Sequence, residues 1–177
     1  MQNTGDEPWN AERGMPSLWS LGMFEGTDDT IIFIPLNGSA RRDEIREYLS
    51  NASENRWWLE NGFLFYRADG KFRNKIGIPP DHCGNIWGSY NTASGSLILV
   101  RYRFDAGEDH YFNSEVSVQQ NPYQGEPVQV YNNGPMDLSM GETSSFYELE
   151  TTSPSLETPP KGNVEHIHQV IIAQTKP

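Results

Sequence analysis

The chain has 177 residues, enough for one well-buried core and short for two. Acidic residues outnumber basic ones 24 to 13, and the net charge of −11 opposes both nucleic-acid phosphates and anionic membrane surfaces. Cys83 is the single cysteine, which excludes an intrachain disulfide and a cysteine-based zinc site and leaves the compartment open.

Residues 1–16 are polar and punctuated by Gly5, Pro8 and Gly14. They read as a loosely ordered lead-in to a single domain over 17–177. Their composition is not that of a signal peptide, and no apolar run approaches the roughly 20 residues of a membrane span. Ser17 to Phe24 is apolar, and Gly26-Thr-Asp-Asp29 turns the chain into Thr30-Ile-Ile-Phe-Ile-Pro35, whose unbroken apolar run predicts a strand buried on both faces. Ser39 to Asn51 is the one helical candidate, with Ile45, Tyr48 and Leu49 at i, i+3, i+4. Like charges at i, i+4 (Asp43 with Glu47, Arg42 with Arg46) limit it to a short surface helix.

From Trp57 the pattern changes to short strands divided by turns. Trp57-Trp-Leu and Phe63 to Arg67 flank an Asn61-Gly62 hairpin signal. Asp69-Gly70 leads into a strand over Lys71 to Ile78, stopped by Pro79-Pro80. Asn85 to Tyr90 and Ser96 to Arg103 pair across Asn91 to Gly95. Tyr111 to Gln119 alternates polar and apolar and reads as a strand, and Val128 to Asn132 as another. Phe146 to Ile172 holds two further strand-like runs joined by a Pro/Gly-rich connection. Five Trp, eight Tyr and eight Phe suit such a chain. The fold expected is an all-β antiparallel sandwich.

Three segments carry a family resemblance. They are Leu18-Trp-Ser-Leu-Gly-Met-Phe-Glu with Thr30 to Pro35, Gly70-Lys-Phe-Arg-Asn-Lys-Ile-Gly-Ile-Pro79, and Phe146-Tyr-Glu-Leu-Glu-Thr-Thr-Ser-Pro154 followed by His166-Ile-His168. Asn113 and Tyr131-Asn-Asn-Gly-Pro135 fall between them. In this order they resemble an uncharacterised bacterial family related to the galactose mutarotase-like supersandwich proteins. The resemblance implies a partial supersandwich, since family members are longer and this chain is similar to their later part. It implies either a fragment or a shortened relative that closes its sheet edges another way. Open edges favour pairing with another copy or with a partner chain.

The resemblance also implies a carbohydrate site. In mutarotases a late-strand carboxylate is the general base and a histidine the acid, placed on opposite sides of the anomeric centre. Glu150 resembles that base, and His166 and His168 are the candidate acids. Ligand binding falls to Glu148, Arg73, Lys75, Trp87, Asn113, Tyr131 and Asn132. For the two Glu residues the alternative is one carboxylate buried against an Arg or Lys. For Lys71, Arg73 and Lys75, alternating on one strand face, the alternative is neutralisation of nearby acids. His166 and His168 share a strand face, but spacing fixes no third ligand, so neither a metal nor a cofactor is expected. Most of Trp57, Trp58, Tyr66, Trp87, Tyr90 and Tyr131 are expected in the core, with Trp87 and Tyr131 the better ligand candidates. Three functions follow: a carbohydrate-binding domain, a sugar-active enzyme using Glu150 and a histidine, or an assembly domain completed by a partner chain.

Overall fold

The computed structural model describes residues 1–49, 55–135 and 145–175. Within them the chain forms β1 (Trp19–Glu25), β2 (Thr30–Pro35), β3 (Arg46–Glu47), β4 (Trp57–Glu60), β5 (Phe63–Arg67), β6 (Asn74–Ile78), β7 (Ile86–Asn91), β8 (Ser96–Tyr102), β9 (Val128–Asn132), β10 (Phe146–Thr152) and β11 (His168–Gln174). A five-stranded sheet has the order β1-β10-β9-β6-β3, and a six-stranded sheet the order β11-β8-β7-β2-β5-β4. Every pairing is antiparallel, and the protein is an all-β sandwich.

The period-two pattern explains the layering. Ile76, Ile78, Val128, Val130, Tyr147 and Leu149 point inward from the five-stranded sheet, and Ile32, Ile34, Leu64, Tyr66, Trp87 and Val100 meet them from the other. Each such side chain stabilises the fold by about 1.5–3 kcal/mol. Two buried polar bridges fix how the sheets sit: Tyr66 Oη donates to Asn74 Oδ1 at 3.1 Å, and the Ser89 and Tyr147 hydroxyls are 2.6 Å apart. The β4–β5 hairpin turns on Asn61 (φ 50°) and Gly62 (φ 79°), the two left-handed residues that an Asn-Gly turn supplies at little steric cost.

Four expectations need correction. The segment over 39–51 is a single 3-10 turn at Arg42–Glu44 followed by β3; residues 50 and 51 lie outside the described residues. Its like-charge pairs disfavour a longer helix, and β6 offers an edge that satisfies the backbone instead: Tyr48 N–H donates to Lys75 O at 2.9 Å. β2 is buried on alternate residues rather than on both faces, because among the described residues no third layer covers Ile31, Phe33 and Pro35. Tyr111 to Gln119 is a loop. Asn113 Oδ1 accepts from Glu115 N–H, and Gln119 Nε2 donates to the Asn113 and Glu115 carbonyls, so local side-chain bonds outcompete a ladder. The lead-in is pinned, not loose. Asn3 N–H donates to Gly162 O, and Trp9 and Thr158 exchange both main-chain bonds at 2.9 Å, because the Pro-rich connection after β10 presents backbone groups that need partners.

Candidate functional site

The outward face of the five-stranded sheet is polar where three neighbouring strands meet. Lys75 on β6 lies opposite Tyr131 on β9, which lies opposite Glu148 on β10. One step along, Gln129 pairs with Glu150, and Glu150 with Leu21 on β1. Strand alternation sends all of these side chains away from the core.

Glu150 is fully buried, under Trp19 and Lys75. Its Oε2 accepts from Lys75 Nζ at 2.8 Å and from Trp19 Nε1 at 2.8 Å. The Lys75 ammonium also sits 4.6 Å from the Trp19 ring centroid, a cation–π contact. Among the described residues no donor reaches Glu150 Oε1. Burial pushes the Glu150 carboxyl above the usual carboxylate range, while Lys75 pulls it back. The half-buried Glu148 is raised by burial and then by the charge of Glu150. Glu150 is buried against a lysine, and Lys71 pairs with Asp28 at 2.7 Å. Lys71 and Arg73 lie just before β6 rather than within it.

Trp19, Tyr48, Lys75, Tyr131, Phe146 and Glu148 line a cleft of about 380 Å³ on this face, with Ser114 to Val116 along its margin. Arg73 reaches over Tyr131, its guanidinium carbon 5.8 Å from the ring centroid. Tyr131 Oη donates to Asn133 Oδ1 at 2.9 Å, which holds the ring in place. Deeper in the sheet, Glu126 accepts from the Tyr48 hydroxyl and pairs with Arg46 Nε at 3.1 Å, while Ser114 Oγ donates to Gln129 Oε1 at 2.9 Å. Burial raises the Glu126 carboxyl. Trp19 also walls a second cleft of about 690 Å³ with Trp9, Phe112 and Tyr123.

The structure therefore joins Glu148, Glu150, Lys75, Tyr131 and Arg73, and separates the other candidates from them. His166 Nε2 and His168 Nδ1 each lie 2.8 Å from Thr151 Oγ1. Thr151 follows Glu150 in an extended strand, so it faces the opposite way, between the sheets. The candidate acids and the candidate base thus stand on opposite faces of β10. Burial lowers both histidines, His166 to about 4. Trp87 is a core residue, 1% exposed. Asn113 and Asn132 are staples: Asn132 Oδ1 accepts from Gly70 N–H at 3.0 Å and its Nδ2 donates to Phe72 O at 2.9 Å, holding the turn before β6. Among the described residues no three of His, Cys, Asp and Glu converge as a metal-ligand set.

With that geometry in place, the comparison with protein families is decisive on one point. The chain belongs to DUF6786, a family of unknown function, whose profile matches residues 1–176. Neither a curated protein nor a solved structure matches the chain. In this DUF6786 chain, sequence reasoning missed Trp19, Tyr48, Ser114, Glu126 and Gln129. One signal for them was available: Gln129 and Tyr131 alternate with Val128 and Val130, as Trp19, Leu21 and Met23 alternate along β1.

Proposed function

We propose that the outward face of the five-stranded sheet binds a carbohydrate. The observation that carries this reading is the cleft itself, with aromatic walls (Trp19, Tyr131, Phe146) beside Glu148 and Lys75, the latter paired with the buried Glu150. A sugar ring offers an apolar C–H face to aromatics and hydroxyls to charged groups. At about 380 Å³ the cleft lies at the small end of ligand sites, which suits a single ring. The resemblance to galactose mutarotase-like proteins, and through it a partial supersandwich, supports the same reading. Lys75 is already neutralised by Glu150, and the chain is acidic, so neutral sugars fit better than anionic ones.

Binding without turnover is the better-supported form. An epimerase using Glu150 as base and His166 or His168 as acid needs both on one ligand, and β10 stands between them: Glu150 projects from its outer face, while the histidines meet Thr151 on its inner face. Ligand-observed NMR against neutral and acidic monosaccharides tests the proposal. Glu148→Gln is the informative variant, because Glu148 lines the cleft without neutralising a buried cation. Saturation transfer to one sugar class, weakened about tenfold by Glu148→Gln, is the expected result for a charged hydrogen bond worth about 1.5–3 kcal/mol. A folded sample that shows no transfer to any sugar overturns it.

A further inference from the structure

At one side of the sandwich the edge strands of the two sheets are tied together; at the other, among the described residues, no strand pairs with the outer edge of β11. On the tied side Trp57 of β4 donates through Nε1 to Glu47 Oε1 of β3 at 3.2 Å, and Arg42 covers the Trp57 ring at 3.7 Å. The β3 edge is two residues long and charged, the usual protection against edge-to-edge pairing. The far edge of the six-stranded sheet is different. β11 runs for seven residues, carries no Asp, Glu, Lys or Arg, and exposes Val170 (40%), Ile171 (46%) and Ile172 (69%) in succession.

Main-chain phase shows which of its groups face outward. Arg103 N–H donates to Ile167 O at 2.9 Å, and Thr175 N–H to Gly95 O at 2.8 Å. The register between them is unbroken, so odd-numbered residues of β11 bond to β8. The N–H and C=O groups of Val170 and Ile172 point to the open side. The sequence is also matched about its own centre. Folded back antiparallel on Ile171, His168 meets Gln174, Gln169 meets Ala173 and Val170 meets Ile172. Polar residues meet a polar or small residue, apolar meets apolar, and no like charges oppose. In that register the pair that must exchange hydrogen bonds is Val170 with Ile172, the residues whose backbone groups face out. Ile171 falls at a non-hydrogen-bonded position, opposite itself.

We propose that β11 pairs with β11 of a second copy of this chain across a two-fold axis at Ile171, joining the six-stranded sheets edge to edge. An isologous interface of this kind needs one self-complementary strand, and β11 is one. The net charge of −11 opposes association, so added salt strengthens it. The proposal does not rest on the carbohydrate reading.

Cysteine scanning in the full chain tests it. Cα atoms at a non-hydrogen-bonded antiparallel pair are about 4.5 Å apart, within the disulfide range of about 4.4–6.8 Å. The native Cys83 is buried and gives no background. Ile171→Cys is expected to form a covalent dimer under mild oxidation, whereas Gln169→Cys, which faces Ala173 of the other copy, does not. Sedimentation of the unmodified chain should show a concentration-dependent dimer, weakened at least tenfold by Ile171→Lys, which sets two ammonium groups on the axis. Far-UV circular dichroism confirms that each variant is folded. A chain that stays monomeric at every concentration overturns the proposal. So does a dimer that survives Ile171→Lys, or equal cross-linking of both cysteine variants.

Discussion

A carboxylate and an ammonium removed from water together are held by each other, and the Lys75–Glu150 pair is the clearest case in this protein. Glu150 is fully buried, the Lys75 side chain is 11% exposed, and Trp19 shields both. Losing one partner of such a pair costs about 3–5 kcal/mol, because the other charge stays buried alone, while losing both together costs much less. Glu150→Gln should therefore destabilise the fold by about 3 kcal/mol in urea denaturation. Lys75→Met with Glu150→Gln should cost clearly less than the two single changes added. Additive costs would mean that the two groups do not stabilise each other. This pairing was half legible in the sequence. Alternation put Glu148 with Glu150 on one face and Arg73 with Lys75 on another, each beside the possibility of mutual neutralisation. Their meeting depends on β9 lying between β6 and β10, and that order is a tertiary fact. Trp87 misled for a local reason. Its neighbour Gly88 resembles a turn residue, but it lies in mid-strand, where a Cβ would meet Ile98 O at 2.0 Å.

At the scale of elements, β10 serves both faces of the five-stranded sheet. Its outward Phe146 and Glu148 line the cleft and its inward residues tie the sheets, through Tyr147 to Ser89 on β7 and through Thr151 to His166, just before β11, and His168, its first residue. One hydroxyl between two imidazoles can donate to one and accept from the other, and the ring that accepts must be neutral. The pH dependence follows with a definite sign. Burial lowers both histidines in the folded chain, His166 from about 6.5 to about 4, so between those values the unfolded chain holds more protons. Stability from this source is complete above pH 6.5 and is lost as pH falls towards 4. Glu126, Glu148 and Glu150 are raised instead, and they act in the opposite sense from the ordinary carboxylate value upward. The two contributions separate by comparison. Replacing both histidines with Gln should flatten the fall in melting temperature between pH 6.5 and 4, and an unchanged slope would remove the histidines as its cause. The strands themselves were readable from alternation and turn residues. That His168 faces away from Glu150 was not, because β10 and β11 lie in different sheets although one connection joins them.

At the scale of the molecule, the strand order makes the fold wait for the residues beyond 145. β10 lies between β1 and β9, so the five-stranded sheet is divided until residues beyond 145 arrive, and β1 has no sheet partner other than β10 among the described residues. β11 then covers the open edge of β8, and the connection before it holds the amino-terminal residues through Asn3 and Trp9. Pairings this distant in sequence pay loop-closure entropy before any contact offsets it, which places folding in the millisecond-to-second range typical of β-sandwiches. A chain ending at residue 145 keeps nine of the eleven strands described yet loses Tyr147, Leu149 and Thr151 from the interior, and with them the pairing partner that β1 has among the described residues. Tyr147 and Leu149 alone remove two side chains worth about 1.5–3 kcal/mol each, against a total stability of about 5–15 kcal/mol, before the lost ladders of β10 are counted. Such a chain should show no cooperative unfolding transition and a far-UV spectrum without native strand content. A sharp transition in that truncated chain would mean that the first nine strands form a self-sufficient core, and that β10 carries the cleft without carrying the fold.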